Sequence, residues 1–433
     1  MMCHASSRNW SAVARRSSSS SSSPRKFCGS NGTWSARLLL QALTTSLWAF
    51  QPSWSFMASS SPWPYHSTSY VFQQQQRQQQ RRMGSATSSS SSSSTTITTT
   101  IDDTAVAHML HRIRQVNDMP AEIRSSLWKF EINGVTLGKV RPNMAQILMD
   151  AQPNVFVVAD GDGKSDARTL TLSSLIEPTC KARTDAVARV METLREEGVV
   201  RGWRNERYPI AARFGDTPLL HVERAAVPCL GALEYGVHMN GLVPTSHSGD
   251  RNSSSGITPS SSASMSSLPP SPPPRMWMAR RAADKSKYPG MLDHIAAGGQ
   301  PVGWSLWENA IKECGEEAGI PPEMAAAGLQ AVGAVSYETY SATSDTVTRA
   351  VLFIYDLYLP PDFVPAAVDG EVQEFFTLSL DDLVASMDPD FEDPLKPNCY
   401  LPVIDWMLRQ GYVSPDAPGY LDVLRELRSG DCQ

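Results

Sequence analysis

Glu313, Glu316 and Glu317 stand at i, i+3 and i+4 in a stretch whose punctuation predicts one short helix. At that spacing the three carboxylates share a face and repel one another by roughly a few tenths of a kcal/mol per pair. A hard divalent cation would offset the repulsion. Carboxylate oxygens suit Mg²⁺ or Mn²⁺, with ligand phosphates and waters completing the coordination. The competing reading, a solvated acidic face, explains none of the features that flank the glutamates.

Those features form a register. Gly298 and Gly299 open a loop, Ser305 is an N-cap residue, and Glu308 three residues on completes a capping box. Gly319 stands where a left-handed residue ends a helix, and Pro321 and Pro322 forbid its continuation. Trp307, Ile311, Cys314 and Ala318 recur at helical spacing and are expected to face the core.

The stretch 298–320 (GGQPVGWSLWENAIKECGEEAGI) resembles the Nudix box, G-x5-E-x7-R-E-U-x-E-E-x-G-U with U apolar. Gly298, Glu313, Cys314, Glu316, Glu317, Gly319 and Ile320 match it. Trp304 stands at the first glutamate and Lys312 at the arginine. Lysine keeps the charge but loses the planar fork that orients a carboxylate. The resemblance makes Lys312 a support for the metal ligands and implies weakened but real activity.

A second resemblance covers 108–234 and continues through 280–299. It is to the Nudix branch whose N-terminal, DUF4743-like domain accompanies thiamine-pyrophosphokinase-related proteins. It rests on residues 219–225 (LLHVERA), 237–241 (VHMNG), 288–294 (YPGMLDH), 355–360 (YDLYLP) and 369–375 (DGEVQEF). The implied fold is α/β: a Nudix α/β/α sandwich with a small α+β N-terminal domain and a disordered presequence. The implied domains are residues 1–103 (presequence), 104–233 (N-terminal), 234–412 (Nudix) and 413–433 (C-terminal tail). A disordered insertion is expected at 244–274, which is rich in Ser and Pro.

In the rest of the chain, helices are expected at 105–116, 184–197, 380–387, 401–410 and 421–427, and a hairpin over 130–140. Strands are expected at 155–159, 219–222, 226–230, 236–243, 275–281, 330–337 and 347–359, with a turn over 160–166. The formal charge is −6, yet no Asp or Glu precedes Asp102, while Arg and Ser are frequent there. Such a segment reads as an organelle presequence. The apolar run 38–50 is too short and interrupted to span a membrane. A plastid address is expected, with mitochondrion and cytosol as alternatives. Seven Cys without a C-x-x-C pair argue against a disulfide or zinc scaffold. The acidic folded portion argues against nucleic acid as a partner; no membrane partner is expected, and a homodimer is compatible with the sequence.

The resemblance implies Mg²⁺- or Mn²⁺-dependent hydrolysis of a small-molecule diphosphate, with Glu313, Glu316 and Glu317 as ligands and one as general base. A backbone carbonyl at Ala297 or Gly298 would join them, with Glu374, or failing that Glu371, as a further metal ligand. Arg280, Lys285 and Lys287 would meet the phosphates, and Trp304 would stack on a cationic ring. Thiamine diphosphate or its oxidised derivatives is the implied substrate. ADP-ribose or nucleoside diphosphate sugars, or binding without turnover, are the alternatives.

Overall fold

The computed structural model describes residues 101–159, 168–245, 272–285 and 287–430. The expected presequence up to residue 100, including its apolar run, the turn at 160–166 and most of the 244–274 insertion lie outside the described residues.

The described residues begin with helices α1 (Asp103–Val116) and α2 (Ala121–Ser126), then β1 (Trp128–Ile132), β2 (Val135–Val140), α3 (Pro142–Ala151), β3 (Phe156–Val158) and β4 (Thr169–Leu172). Helix α4 (Cys180–Glu196), β5 (Arg207–Ile210), β6 (Leu220–Glu223) and α5 (Val227–Leu230) follow. The second half runs β7 (Leu233–Val243), β8 (Arg275–Arg281), β9 (Leu292–His294), β10 (Ala296–Gly299), α6 (Leu306–Ala318) and α7 (Pro322–Gly328). It closes with β11 (Leu329–Ser341), β12 (Thr346–Tyr358), β13 (Val372–Leu378), α8 (Leu380–Ala385), α9 (Tyr400–Arg409) and α10 (Tyr420–Glu426).

The smaller, N-terminal half is a sheet of order β2-β1-β4-β3, with β1 and β4 parallel, plus the β5-β6 hairpin. Its own core joins Phe130 and Leu170 of the sheet to Leu148 of α3 and Val187, Val190 and Leu194 of α4. The larger half is a mixed sheet of order β11-β12-β7-β8-β13, with β10 on β7 and β9 on β8. Only β7 and β12 pair in parallel among its described strands.

Both faces of the larger sheet are covered, because successive side chains of a strand point to opposite sides. From β12, Tyr355 and Leu357 join Ala310, Cys314 and Ala318 of α6. Leu352 and Ile354 join Leu401, Val403 and Trp406 around α9 on the other face. The expected α/β/α sandwich is what forms.

Some expectations change. Helix α1 was assigned to the small domain, but its Val106, Met109 and Ile113 pack in the core that holds α9 and α10. Residues 413–430 are no loose tail: Val413, Val423 and Leu427 are buried in that same core. The stretch 226–230 is helical, with Pro228 in its first turn and Gly231 left-handed at its end (φ 53°). A β-carbon on Gly231 would lie 1.8 Å from the Lys139 carbonyl oxygen, so the chain reverses where only glycine fits.

One ion cluster ties α9 to the sheet. Arg409 donates to both oxygens of Asp356 (2.8 and 2.9 Å) and to Asp405 (2.7 Å). Both carboxylates are almost fully buried. Arg409→Met leaves them without this cation, and removing one partner of a buried pair costs about 3–5 kcal/mol. Urea unfolding of Arg409→Met should show that loss, reduced by whatever Arg428 and Asn240 still supply.

Candidate active site

Helix α6 is set by its caps. Ser305 Oγ accepts from the Glu308 N–H, Glu308 returns a bond to the Ser305 N–H (3.0 Å), and Gly319 closes the helix with φ 63°. Ala310, Cys314 and Ala318 make its buried face. Trp307 departs from expectation: it is 41% exposed, beside Tyr355 (6.2 Å between rings), and Ile311 is only half-buried. Burial pushes the Cys314 thiol up to about 12, as befits a small core hydrophobe.

Gly298 and Gly299, expected to open a loop, instead end strand β10 against β7, and that strand end is tightly confined. A β-carbon at Gly298 would sit 2.1 Å from Glu313 Cδ, and one at Gly299 would sit 1.3 Å from the Tyr208 hydroxyl of β5. Asn309 donates to the Gly299 carbonyl (2.8 Å) and to Gln300 Oε1 (3.2 Å), and Gln300 donates to the Trp304 carbonyl (2.6 Å). The Val302 N–H donates to the Arg207 carbonyl (3.0 Å), binding the loop to the N-terminal domain.

The three glutamates differ in setting. Glu313 is buried, and burial raises its pKa against the pull of Lys312. Glu316 is exposed. Glu317 accepts from the Ala297 N–H (2.9 Å), and burial, followed by Asp293, raises its pKa well above the usual carboxylate range. Lys312 Nζ lies 3.1 Å from Glu313 and 2.7 Å from Glu316. The ammonium is thus a resident cation between two of the three carboxylates, and the all-oxygen chemistry of the set fits a hard divalent ion, although Glu317 is turned to the Ala297 N–H and would have to join the other two. Glu313, Glu316 and Glu317 would hold it.

The remaining expected residues divide. Arg280 is taken by Glu374 (3.0 Å) and Asp393 (2.7 Å), so this expected phosphate ligand and this expected metal ligand bind each other. Lys285 pairs with Glu371, which also meets Arg204 (3.6 Å). Glu371, the second choice, is the one whose charge reaches Glu317. Lys287 is exposed. Trp304, 47% exposed, lines a cleft of ≈ 690 Å³ together with Lys312.

A buried polar layer behind the site had no local signal in the sequence. Asp293 accepts from Arg281 (2.6 Å), Lys396 (2.9 Å), the Cys399 thiol (2.8 Å) and the His294 N–H (2.9 Å). Burial opposes its charge, but Lys396 and Arg281 prevail and hold its pKa far below normal. His238 and His294 meet Nδ1 to Nδ1 at 3.1 Å, and burial lowers both, His294 to about 4. Donor atoms of His238, His294 and Cys399 lie within 4.8 Å of one another. The thiol already serves Asp293, and two cations already balance that carboxylate. A dication would add unbalanced charge, so a hydrogen-bonded layer is the better reading.

Among the described residues no helix is long and apolar enough to cross a membrane.

Comparison with known proteins agrees with this architecture. A NUDIX domain model matches residues 271–399, and a domain of unknown function, DUF4743, matches 108–234. The chain belongs to the Nudix hydrolase family, enzymes that act on phosphorus-containing anhydrides. It is 38% identical over 305 residues to the chloroplastic Nudix hydrolase 24 of Arabidopsis thaliana, covering 70% of this chain and 73% of that one. It is 40% identical over 250 residues to the chloroplastic Nudix hydrolase 20 of the same plant, covering 58% of this chain and 59% of that relative. A solved NUDIX domain of Shewanella oneidensis NrtR, complexed with ADP ribose, superposes at TM-score 0.27 with 12% identity, over 41% of this chain and 88% of that one.

Two outcomes follow from the geometry. Gly298→Ala drives a β-carbon into the Glu313 carboxylate, so kcat should fall about 10–100-fold, the range seen when the groups supporting a metal ligand are disturbed. The melting temperature should change little, because the displaced group is the end of a flexible side chain. Glu317, with its raised pKa, contributes metal-free stability that is complete below the unfolded carboxylate range and is lost as pH rises through its folded value. Glu317→Gln should therefore melt above the native chain at pH 8 in EDTA, and the gap should narrow by pH 5.

Proposed function

We propose that this chain is a Mg²⁺-dependent diphosphohydrolase that converts thiamine diphosphate, or its oxidised derivatives, to the monophosphate and phosphate. The observation that carries the hydrolase reading is the lysine ammonium bridging Glu313 and Glu316, with Glu317 of the same helix held at the Ala297 N–H. The three glutamates proposed as metal ligands are all present despite the two departures from the box. Bound there, Mg²⁺ or Mn²⁺ would neutralise the phosphates and acidify the attacking water.

The chain's own groups do the rest. Glu317 is fixed by the Ala297 N–H, and its raised pKa suits a general base. It takes the proton of a water whose oxygen attacks the terminal phosphorus, while the anhydride P–O bond breaks and the monophosphate leaves. Glu313 is held against Gly298, where any side chain would displace it. Lys312 carries a positive charge to the same place and can follow the phosphates. The thiamine reading is supported by the DUF4743 resemblance and by an exposed indole, Trp304, close to the box and suited to a cationic ring. A plastid address is supported by the chloroplastic relatives and by the acid-free, Ser- and Arg-rich first hundred residues.

The test is phosphate release by the purified chain with Mg²⁺ from thiamine diphosphate, oxothiamine diphosphate, ADP-ribose and nucleoside diphosphate sugars. Release from the thiamine compounds, reduced at least about 100-fold in Glu316→Gln, is the expected result. Turnover of the nucleotide conjugates alone would move the substrate to ADP-ribose or nucleoside diphosphate sugars. Ligand binding without any turnover would make the chain a binding module.

A further inference from the structure

The two positions at which this chain departs from the box pattern lie on one wall of the same cleft. Trp304 and Lys312 line it from the Nudix side. Its other wall is the N-terminal domain, with Glu192 of α4, Trp203, Arg207 of β5 and His221 of β6. At ≈ 690 Å³ it has the size of a small-molecule site. The walls are fixed to one another: the Val302 N–H binds the Arg207 carbonyl (3.0 Å), and the Tyr208 hydroxyl fills the space beside Gly299. Lys312, one of its lining residues, reaches Glu313 (3.1 Å) and Glu316 (2.7 Å), and so links the cleft to the box carboxylates.

We propose that the N-terminal domain forms half of the substrate site, and that this cleft takes the organic group at the far end of the diphosphate, a flat cationic heterocycle. The inference rests on the diphosphohydrolase reading and names what recognises the leaving half of its substrate. The charges support it. Glu192, Glu206 and Glu223 line the cleft with Arg207 and Lys312; Glu206 is paired with Arg224 (3.0 Å) and Glu223 accepts from the Arg204 N–H (2.7 Å), which leaves the exposed Glu192 to face a cationic ring. Burial followed by Arg207 lowers the pKa of His221, which keeps its ring neutral at pH 7. Of the two indoles, Trp203 is engaged: its N–H donates to Asn205 (2.9 Å), and Arg195 lies over its ring at 4.9 Å. Trp304 is the one that offers a ring to a ligand. Its place in the box pattern is then a gain of recognition, and Lys312, which follows the same wall, is a cation at the junction of ring and phosphates.

The test compares KM for thiamine diphosphate with KM for methyl diphosphate, which has no ring, in the full chain. Trp304→Ala and Glu192→Gln alter exposed side chains, and Ala188→Trp fills the cleft from the N-terminal wall. In each, the ratio of the two KM values should shift against thiamine diphosphate by about fivefold or more, the equivalent of about 1 kcal/mol of ring recognition. An unchanged ratio in all three, with thiamine diphosphate still turned over, would overturn the cleft and leave the substrate reading standing. If only ADP-ribose is turned over, the substrate reading fails, and with it the cationic ring that the cleft is proposed to take. If nothing is turned over, calorimetric titration with thiamine diphosphate and Mg²⁺ replaces kinetics. Binding weakened about fivefold in Ala188→Trp supports the cleft, and equal or absent binding overturns it.

Discussion

The site depends on the end of β10, where Gly298 and Gly299 have no room for side chains. Gly298 passes against Glu313 and Gly299 against Tyr208, so two consecutive residues are pinned between a catalytic-helix carboxylate and the neighbouring domain. Everything else is aligned from there. β10 pairs with β7 and presents the Ala297 N–H to Glu317. Asn309 of α6 grips the Gly299 carbonyl from the helix side, and the loop beyond runs to the Ser305 cap. The N-terminal domain is therefore part of the site's geometry: moving β5 would move this strand end, and moving the strand end would move Glu313.

The second constraint is charge. Three glutamates share α6 and burial raises the pKa of two of them, Glu313 and Glu317, so the metal-free protein carries a destabilising set of charges that Lys312 relieves only in part. Asp293 adds to it, since its charge is maintained by Lys396 and Arg281 and reaches Glu317. Hydrogen bonds to Asp293 bring β8, β9 and the segment carrying Lys396 and Cys399 into one layer. That layer keeps a fixed negative charge close enough to Glu317 to raise its pKa. Stability and function pull in opposite directions here, as expected of a site that concentrates like charge.

What was legible in the sequence was what is local. The caps, the glutamate spacing and the glycines of α6 fall within 23 residues (298–320), and each is read from its near neighbours. The strand periodicities of β7, β8, β11 and β12 were legible for the same reason. The errors arose where tertiary packing decides. Trp307 has helical spacing for the core, yet Ala310 occupies the tighter position and the indole stays outside. The β-like run 226–230 was overruled by Pro228 and by the reversal at Gly231. Helix α1 looks amphipathic from any side, so its sequence could not say which core it would join. Glu371 and Glu374 are equally acidic on paper, and only the β8–β13 register assigns Glu374 to Arg280. Asp293 and His238 stand in the stretches 288–294 and 237–241 that carry the second resemblance, but nothing local there gave them a role, and Cys399 and Tyr208 likewise act on residues far away in the chain.

The central claim is that the box still gathers a divalent cation although Trp304 and Lys312 replace its first acid and its arginine. Titration of the purified chain with Mn²⁺, followed by loss of the free-ion electron paramagnetic resonance signal, tests it without a substrate. A saturable site that is lost in Glu317→Gln and tightened in Lys312→Ala, where the competing ammonium is gone, is the predicted result. A free-ion signal that rises with added Mn²⁺ as in buffer alone would contradict it.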